Sequence, residues 1–313
     1  TKDAVFRKGH IIREEDIPVL LSVGKDSVYI WENDETMMHE NDAAEVLYRM
    51  TANEHMHPSD VKEGKIEVIA DTEGLLKVDR EKLKKVNAFG EMMIATRHGN
   101  TVVKKGDKLA GTRIIPLVIK KDKMQEAEKI CDGTPILKIL PFTVKKAAII
   151  TTGNEVYHGR IKDAFTPVIE QKIAEFGAEM MFHEIFDDND RKITDGCLRA
   201  IEAGADIVFC TGGMSVDPDD KTPLAIKNTG AEMISYGSPV LPGAMFLLSY
   251  YRKGDKVIPI CGLPGCAMYN RRTIFDLVLP RLMAADPVTA DELASLGEGG
   301  LCLNCKVCTF PNC

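Results

Sequence analysis

Long apolar runs are missing from this chain: none approaches the ~20 residues a membrane-spanning helix needs, so no such helix is expected. There is no large basic block, and the formal net charge is −7, which argues against a nucleic-acid binder. Tryptophan occurs once, at Trp31, where a core position is expected rather than a stacking platform. Internal repeats and low-complexity linkers are absent. What is present suits folded domains. Hydrophobic residues make up 44% and charged residues 28%, enough for a core. The length of 313 residues fits two domains. Nine cysteines are scattered and then clustered, which points to a reducing, cytoplasmic setting and a metal site instead of a disulfide framework.

The chain is organised around residues 205–221. Ile207 to Cys210 reads as a buried parallel strand that stops at Thr211-Gly212-Gly213. An acidic loop with Asp217, Asp219 and Asp220 follows, and Thr222-Pro223 opens a helix. Gly212 and Gly213 would let backbone N–H groups approach an anion. The carboxylates suit a hard cation such as Mg²⁺ that bridges to phosphate. Glycine and aspartate also dominate ordinary turns, so this stretch gains meaning from its company.

That company is strict over residues 144–285. Predicted strands are Lys145–Thr151, Glu179–Phe186, Ile207–Cys210, Met233–Tyr236, Phe246–Tyr251 and Lys256–Cys261. Helices are predicted over Phe165–Phe176, Arg191–Ala203, Thr222–Lys227 and, as one long element, Ala267–Ala284. The alternation implies a doubly wound, mostly parallel α/β sheet. Four strand ends carry polar or glycine-rich turns, at Thr151–Glu155, Asp187–Asp190, Thr211–Asp220 and Gly262–Gly265. In a parallel sheet these ends share one edge, so the turns are expected to converge on one anionic-ligand site with a divalent ion.

Residues 1–143 read as α+β, with hairpins and few βαβ units. Strands are expected at Lys8–Ile12, Ser27–Trp31, Lys65–Ala70, Met92–Thr96, Thr101–Lys104, Thr112–Ile119 and Pro135–Pro141. Helices are expected over Glu14–Ser22, over Ala43–Met50 with Asp42 as cap, over 80–89 and over Lys121–Cys131. His39, His55 and His57 lie close in sequence, but most such histidines are surface loop residues.

The motifs Thr151-Thr-Gly-Asn-Glu155, Asp187-Asp188, Thr211-Gly-Gly-Met-Ser-Val216 with Asp220, Leu241-Pro-Gly243 and Gly262-Leu-Pro-Gly265 occur in order. This series resembles the molybdopterin-binding domain of molybdopterin molybdenumtransferases and adenylyltransferases. Ser215-Val216 and Pro242-Gly243 look closer to the molybdenumtransferase branch. The resemblance implies insertion of molybdate into adenylylated molybdopterin, with Mg²⁺ and release of AMP. It implies that Thr152, Gly153 and Glu155 lie by the pterin nucleotide, that Gly212, Gly213 and Ser215 cradle phosphate, and that Thr211 belongs to the same cofactor-binding set. Pro242, Gly243, Gly262, Pro264 and Gly265 would complete the binding site. Asp187 and Asp220 match the acidic residues assigned to metal and catalysis. It also implies a homodimer.

Departures bear on chemistry. The family's Lys-Pro-Gly-Lys reads Leu241-Pro242-Gly243-Ala244, so two cations suited to an oxyanion are missing. Asn154 replaces an Asp, and Cys266-Ala267 replaces Asn-Pro. The family's Met-Asp-Gly-Tyr-Ala-like stretch is lacking in the first half. Pterin-nucleotide binding survives these changes better than insertion does. Three readings follow: the transferase, a non-catalytic cofactor-binding or delivery protein, and an adenylyltransferase acting one step earlier. The segment 286–313 is a linker and a cysteine-rich tail, Cys302-x₂-Cys305-x₂-Cys308-x₄-Cys313. Four thiolates suit an iron–sulfur cluster or a structural Zn²⁺. Such a tail suggests redox coupling or docking onto an iron–sulfur molybdoenzyme. Cys266 falls in a turn expected to line the cleft.

Overall fold

The computed structural model describes residues 5–6, 10–28, 34–215 and 217–308. Trp31, Val216 and Cys313 lie outside them, as do parts of the expected strands Lys8–Ile12 and Ser27–Trp31. The described remainders of those two strands, 10–12 and 27–28, are irregular.

The first half is α+β. One antiparallel sheet joins Met56–Pro58, Lys65–Ala70, Lys108–Ile114 and Met92–Thr96 in that order. Thr101–Val103, Gly74–Val78 and Leu137–Leu140 form a second, and Met37–His39 pairs with Val118–Lys120. The helices Glu40–Thr51, Arg80–Asn87 and Lys121–Cys131 supply Leu47, Val86 and Met124 to a core with Val68, Ile94 and Leu109. Two expectations change here. His39, not Asp42, caps the helix: its Nδ1 accepts the Asn41 N–H at 3.1 Å. The strand expected over Thr112–Ile119 starts at Lys108 and breaks after Ile114, before Pro116.

The second half contains β1 (Lys146–Thr152), β2 (Glu179–Phe186), β3 (Ile207–Thr211), β4 (Glu232–Tyr236), β5 (Leu247–Lys253) and β6 (Lys256–Leu263). Their order in the sheet is β2-β1-β3-β6-β5-β4. Pairs β1/β2, β1/β3 and β3/β6 are parallel; β5 returns antiparallel beside β6, and β4 beside β5. The sheet is therefore mostly parallel, as the sequence predicts. Helices are α1 (Asn154–Tyr157), α2 (Phe165–Ala174), α3 (Asp190–Glu202), α4 (Thr222–Asn228), α5 (Cys266–Tyr269) and α6 (Ile274–Met283).

Alternation along each strand sends side chains to both faces. Ile149 and Phe209 pack with Ile173 of α2 and Phe275 and Leu279 of α6. Ile150, Val208 and Cys210 pack with Ile193 and Cys197 of α3 and Ile226 of α4. Both faces are covered, which is why the central strands are apolar throughout. The single long helix expected over Ala267–Ala284 is two helices. Thr273 and Asp276 form a capping box that starts α6 afresh: the Thr273 N–H donates to Asp276 at 2.7 Å.

Behind α6 the two halves join. Arg281, 6% exposed, donates to Asp286, to Glu292 at 2.8 Å and to the Pro287 carbonyl at 2.7 Å. Lys77 of the first half reaches the same Asp286 at 2.7 Å. Among the described residues, no helix is long and apolar enough to cross a membrane.

Candidate functional site

Register levels the parallel strands at one edge. Thr151 lies opposite Thr211, Thr211 opposite Leu263, and Thr152 opposite Phe186. The chain leaves β1 toward β2 on one side and later returns to β3 on the other. The edge between β1 and β3 is thus a topological switch point, where open α/β sheets place ligands.

The Gly-Gly turn sits there. Gly212 (φ +81°) and Gly213 (φ +54°) are both left-handed. A Cβ on Gly212 would lie 2.1 Å from the Thr152 carbonyl oxygen, and one on Gly213 2.8 Å from Thr222 Oγ1. Thr152 holds the turn: its Oγ1 lies 3.1 Å from the Thr211 carbonyl and 2.9 Å from Thr222 Oγ1. Thr152, expected beside the pterin, is therefore a buried strut. Thr211 Oγ1 is buried without a partner. Gly153 donates its N–H to the Phe186 carbonyl at 3.2 Å, and Glu155 is exposed on α1.

A cleft of about 670 Å³ opens at this edge. One wall is Gly212, Gly213, Ser215 and Asp220; Pro242 and Gly243 form a second; Pro264 and Gly265 form a third. Two of the four strand-end turns expected to converge do so here, Thr211–Asp220 and Gly262–Gly265, joined by the Leu241-Pro242-Gly243 stretch; Thr151–Glu155 and Asp187–Asp190 stay off the lining. Thr152, Gly153, Glu155, Thr211, Gly262 and Asp187 are not part of the lining. Gly262 lies within β6, where a Cβ would meet Met214 Cε at 2.4 Å, so its role is to seat Met214. Tyr236 fixes the loop from the opposite side by donating to the Met214 carbonyl at 3.1 Å. Among the described residues the lining carries one carboxylate, Asp220, and neither lysine nor arginine.

Acidic residues gather on the β1 and β2 side. Asp187 Oδ2 accepts from Lys192 at 2.8 Å, while its Oδ1 is buried without a partner. Asp188 accepts the Asn154 N–H at 3.1 Å. Burial, then the negative charges of Glu155, Asp220 and Asp187, push the Asp188 carboxyl above its ordinary range. Asp220 thus belongs both to the cleft lining and to this acidic group. The charge and donor type suit a hard divalent ion. Among the described residues no three His, Cys, Asp or Glu are placed to hold a metal by themselves. Magnesium fits such a site when one or two carboxylates are completed by ligand phosphates and water.

Sequence reasoning missed Asp163. It accepts the N–H groups of Phe165 and Thr166 at 2.8 and 3.1 Å and the Thr151 hydroxyl at 2.9 Å, with His183 at 3.5 Å. Burial opposes its ionisation, but hydrogen bonds from Thr166, Thr151 and Phe165 prevail and hold it below the usual carboxylate range. The available signal was an Asp two residues before an amphipathic helix, the pattern of an N-terminal cap.

The expected four-thiolate metal centre does not come together among the described residues. Cys302, Cys305 and Cys308 border one cavity, yet no three ligands are gathered, and Cys313 is outside. Cys302 Sγ instead accepts the Asn304 N–H at 3.5 Å. His39, His55 and His57 likewise form no metal group; His57 pairs with Asp71 at 2.6 Å.

The sheet order, covered faces and strand-end cleft define a doubly wound α/β ligand-binding domain. Residues 148–284 match the family model described as "Probable molybdopterin binding domain". The match takes in less than half of the chain. A second model, a domain of unknown function, matches residues 1–32. A curated relative from Bacillus cereus (strain B4264), named "Putative competence-damage inducible protein", is 30% identical over 129 residues, covering 41% of this chain and 30% of its own length. The chain spans 20% to 30% of the curated relatives it matches first. Similar solved structures include the tungsten cofactor synthesizing protein MoaB from Pyrococcus furiosus, at 18% identity and a TM-score of 0.39, covering 46% of this chain and 98% of that one. The protein CinA from Thermoplasma acidophilum is 19% identical with a TM-score of 0.35, covering 44% and 98%.

Proposed function

We propose that the α/β unit binds a molybdopterin nucleotide in the strand-end cleft. The observation that carries this reading is the convergence of the Gly212–Gly213, Pro242–Gly243 and Pro264–Gly265 turns on one cavity at the C-terminal ends of β3 and β6, beside the switch point. In this reading the phosphates lie against the Gly212-Gly213 turn, where absent side chains leave the backbone open to an anion. The flatter, less polar walls, with Leu241, Met268 and Tyr269, receive the ring system. Asp220 faces the phosphates from the acidic side.

Binding is proposed ahead of turnover for two reasons. Among the described residues the cleft lining has no cation with which to hold molybdate. The curated relatives the chain matches first are named for competence-damage induction, not for cofactor synthesis.

The second reading, insertion of molybdate with AMP release, is favoured by the unpartnered Asp187 Oδ1 and the crowded carboxylates around Asp188. Mg²⁺ bound there with the ligand phosphates would neutralise charge as AMP leaves. Asp220 and Asp187 would hold that charge in place. The test is AMP release from adenylylated molybdopterin with Mg²⁺, with and without molybdate. Asp220→Asn is expected to abolish any release while affinity stays within roughly tenfold. Equal loss of binding and turnover would contradict a catalytic Asp220. Absence of nucleotide binding in the unaltered protein would refute the primary reading, and ATP consumption with molybdopterin would mark an adenylyltransferase.

A further inference from the structure

Beside the cleft lies a second cavity of about 250 Å³, and Tyr269 lines both. The two divide charge between them. Among the described residues the cleft lining holds a carboxylate and no cation, whereas the second lining holds Arg271, Arg272 and Lys306 and no carboxylate. In a chain of net charge −7, three cations around one concavity are not the background composition. Arg272 is engaged by Asp276 at 3.1 Å. Among the described residues Arg271 and Lys306 have no carboxylate within ion-pair distance, so their charge faces the cavity and solvent.

The backbone holds these cations at the cleft. The Leu241 N–H donates to the Gly300 carbonyl and the Cys302 N–H donates to the Leu241 carbonyl, both at 2.8 Å. The segment carrying Lys306 is thereby fastened to the wall that contains Leu241. Opposite, Asn270 Nδ2 donates to the Cys266 carbonyl at 3.1 Å and fixes the turn that presents Arg271.

We propose that this second cavity is an oxyanion-binding pocket that takes a tetrahedral dianion, either a phosphate or a metal oxyanion. Arginine supplies a planar fork for two oxygens and lysine a point charge for a third. The volume exceeds a water's ~30 Å³ several-fold, enough for such an ion with part of its hydration. Cys302, Cys305 and Cys308 on the same lining offer soft donors that distinguish a metal oxyanion from phosphate. The pocket stands on its own residues. Its partnership with the cleft, in which one ligand passes Tyr269 with its organic part on one side and its anion on the other, rests on the reading above.

The experiment is calorimetric titration of the whole chain, in the presence of a chelator, with inorganic phosphate and with molybdate. AMP is titrated separately as the probe of the cleft. Arg271→Gln and Lys306→Gln should each weaken oxyanion binding about tenfold, and the double variant about a hundredfold. Lys306→Arg should retain it, and AMP affinity should be unchanged in Lys306→Gln. Both substituted side chains are exposed, and near-ultraviolet circular dichroism checks that the variants fold. Equal affinity for phosphate and molybdate marks a general dianion pocket; preference for molybdate that is lost on thiol alkylation marks a metal oxyanion. Absence of saturable binding, or unchanged affinity in the double variant, overturns the pocket. So does zinc binding by the thiols, in a separate titration without chelator, while both anions remain silent. Oxyanion binding without AMP binding keeps the pocket and removes the reading of the cleft, and the converse does the reverse.

Discussion

Gly212→Ala puts the architecture of the site at risk through a single methyl group. Gly212 has φ +81°, where a residue with a Cβ pays about 1–2 kcal/mol. The new Cβ would also lie 2.1 Å from the Thr152 carbonyl oxygen, a backbone atom that cannot swing aside. Relieving that overlap means displacing the end of β1, and overpacking of this kind costs about 1–3 kcal/mol. The expected loss is roughly 2–5 kcal/mol of unfolding free energy, read from urea denaturation, with weakened AMP binding in whatever remains folded. Gly265→Ala is the control at the same edge. Gly265 has φ −54°, and a Cβ added there would meet no heavy atom within 4 Å beyond its chain neighbours, so its change should stay within about 0.5 kcal/mol. If Gly212→Ala unfolds at the same urea concentration as the unaltered protein, the turn is not held as described, and the case for Thr152 as a strut falls with it.

Arg281→Met should cost about 1–3 kcal/mol, because Glu292 loses its cation and Asp286 is left with Lys77 alone. Thermal denaturation reads the loss, and adding Asp286→Asn and Glu292→Gln should recover part of it. Asp163 has a lowered folded pKa, so the stability its hydrogen bonds confer is fully present above the ordinary carboxyl pKa. That contribution disappears as pH falls through the lower folded value. Asp163→Asn should flatten the acid limb of a stability-against-pH curve, and an unchanged limb would contradict the assignment. In Asp220→Asn the Asp188 carboxyl should titrate at lower pH by NMR, since one of the charges holding it up is gone.

The α/β half was legible because parallel strands covered on both faces read as uninterrupted apolar runs. Ala147 to Ile150 and Ile207 to Cys210 are such runs. Three-residue strands such as Met37–His39 and Met56–Pro58 carry too few alternations to be seen. The break between α5 and α6 falls in Asn270-Arg271-Arg272-Thr273, a polar run that an exposed helical turn also tolerates, and the Thr273–Asp276 capping box marks the restart. At the site, the cleft-lining turns were readable from glycine, proline and aspartate. What sequence could not separate was glycine that opens space for a ligand from glycine that makes room for protein. Gly262 beneath Met214 is of the second kind, and Gly243, where a Cβ would meet Ile274 Cγ2 at 2.4 Å, does both. The gathering of Arg271 and Lys306 was invisible because they come from segments that only the Leu241–Leu301 bridge brings alongside the cleft.

That bridge also orders events during synthesis. All six strands and α6 have been made once Met283 leaves the ribosome, so the sheet can assemble with its turns in place. Leu241 then waits for Gly300 and Cys302, some sixty positions downstream. The sheet and the latched wall of the cleft are therefore separate products of translation. A nascent chain halted after Leu296 and before Gly300 would carry the hydrophobic core, Val288 and Leu293 included, and an unlatched wall.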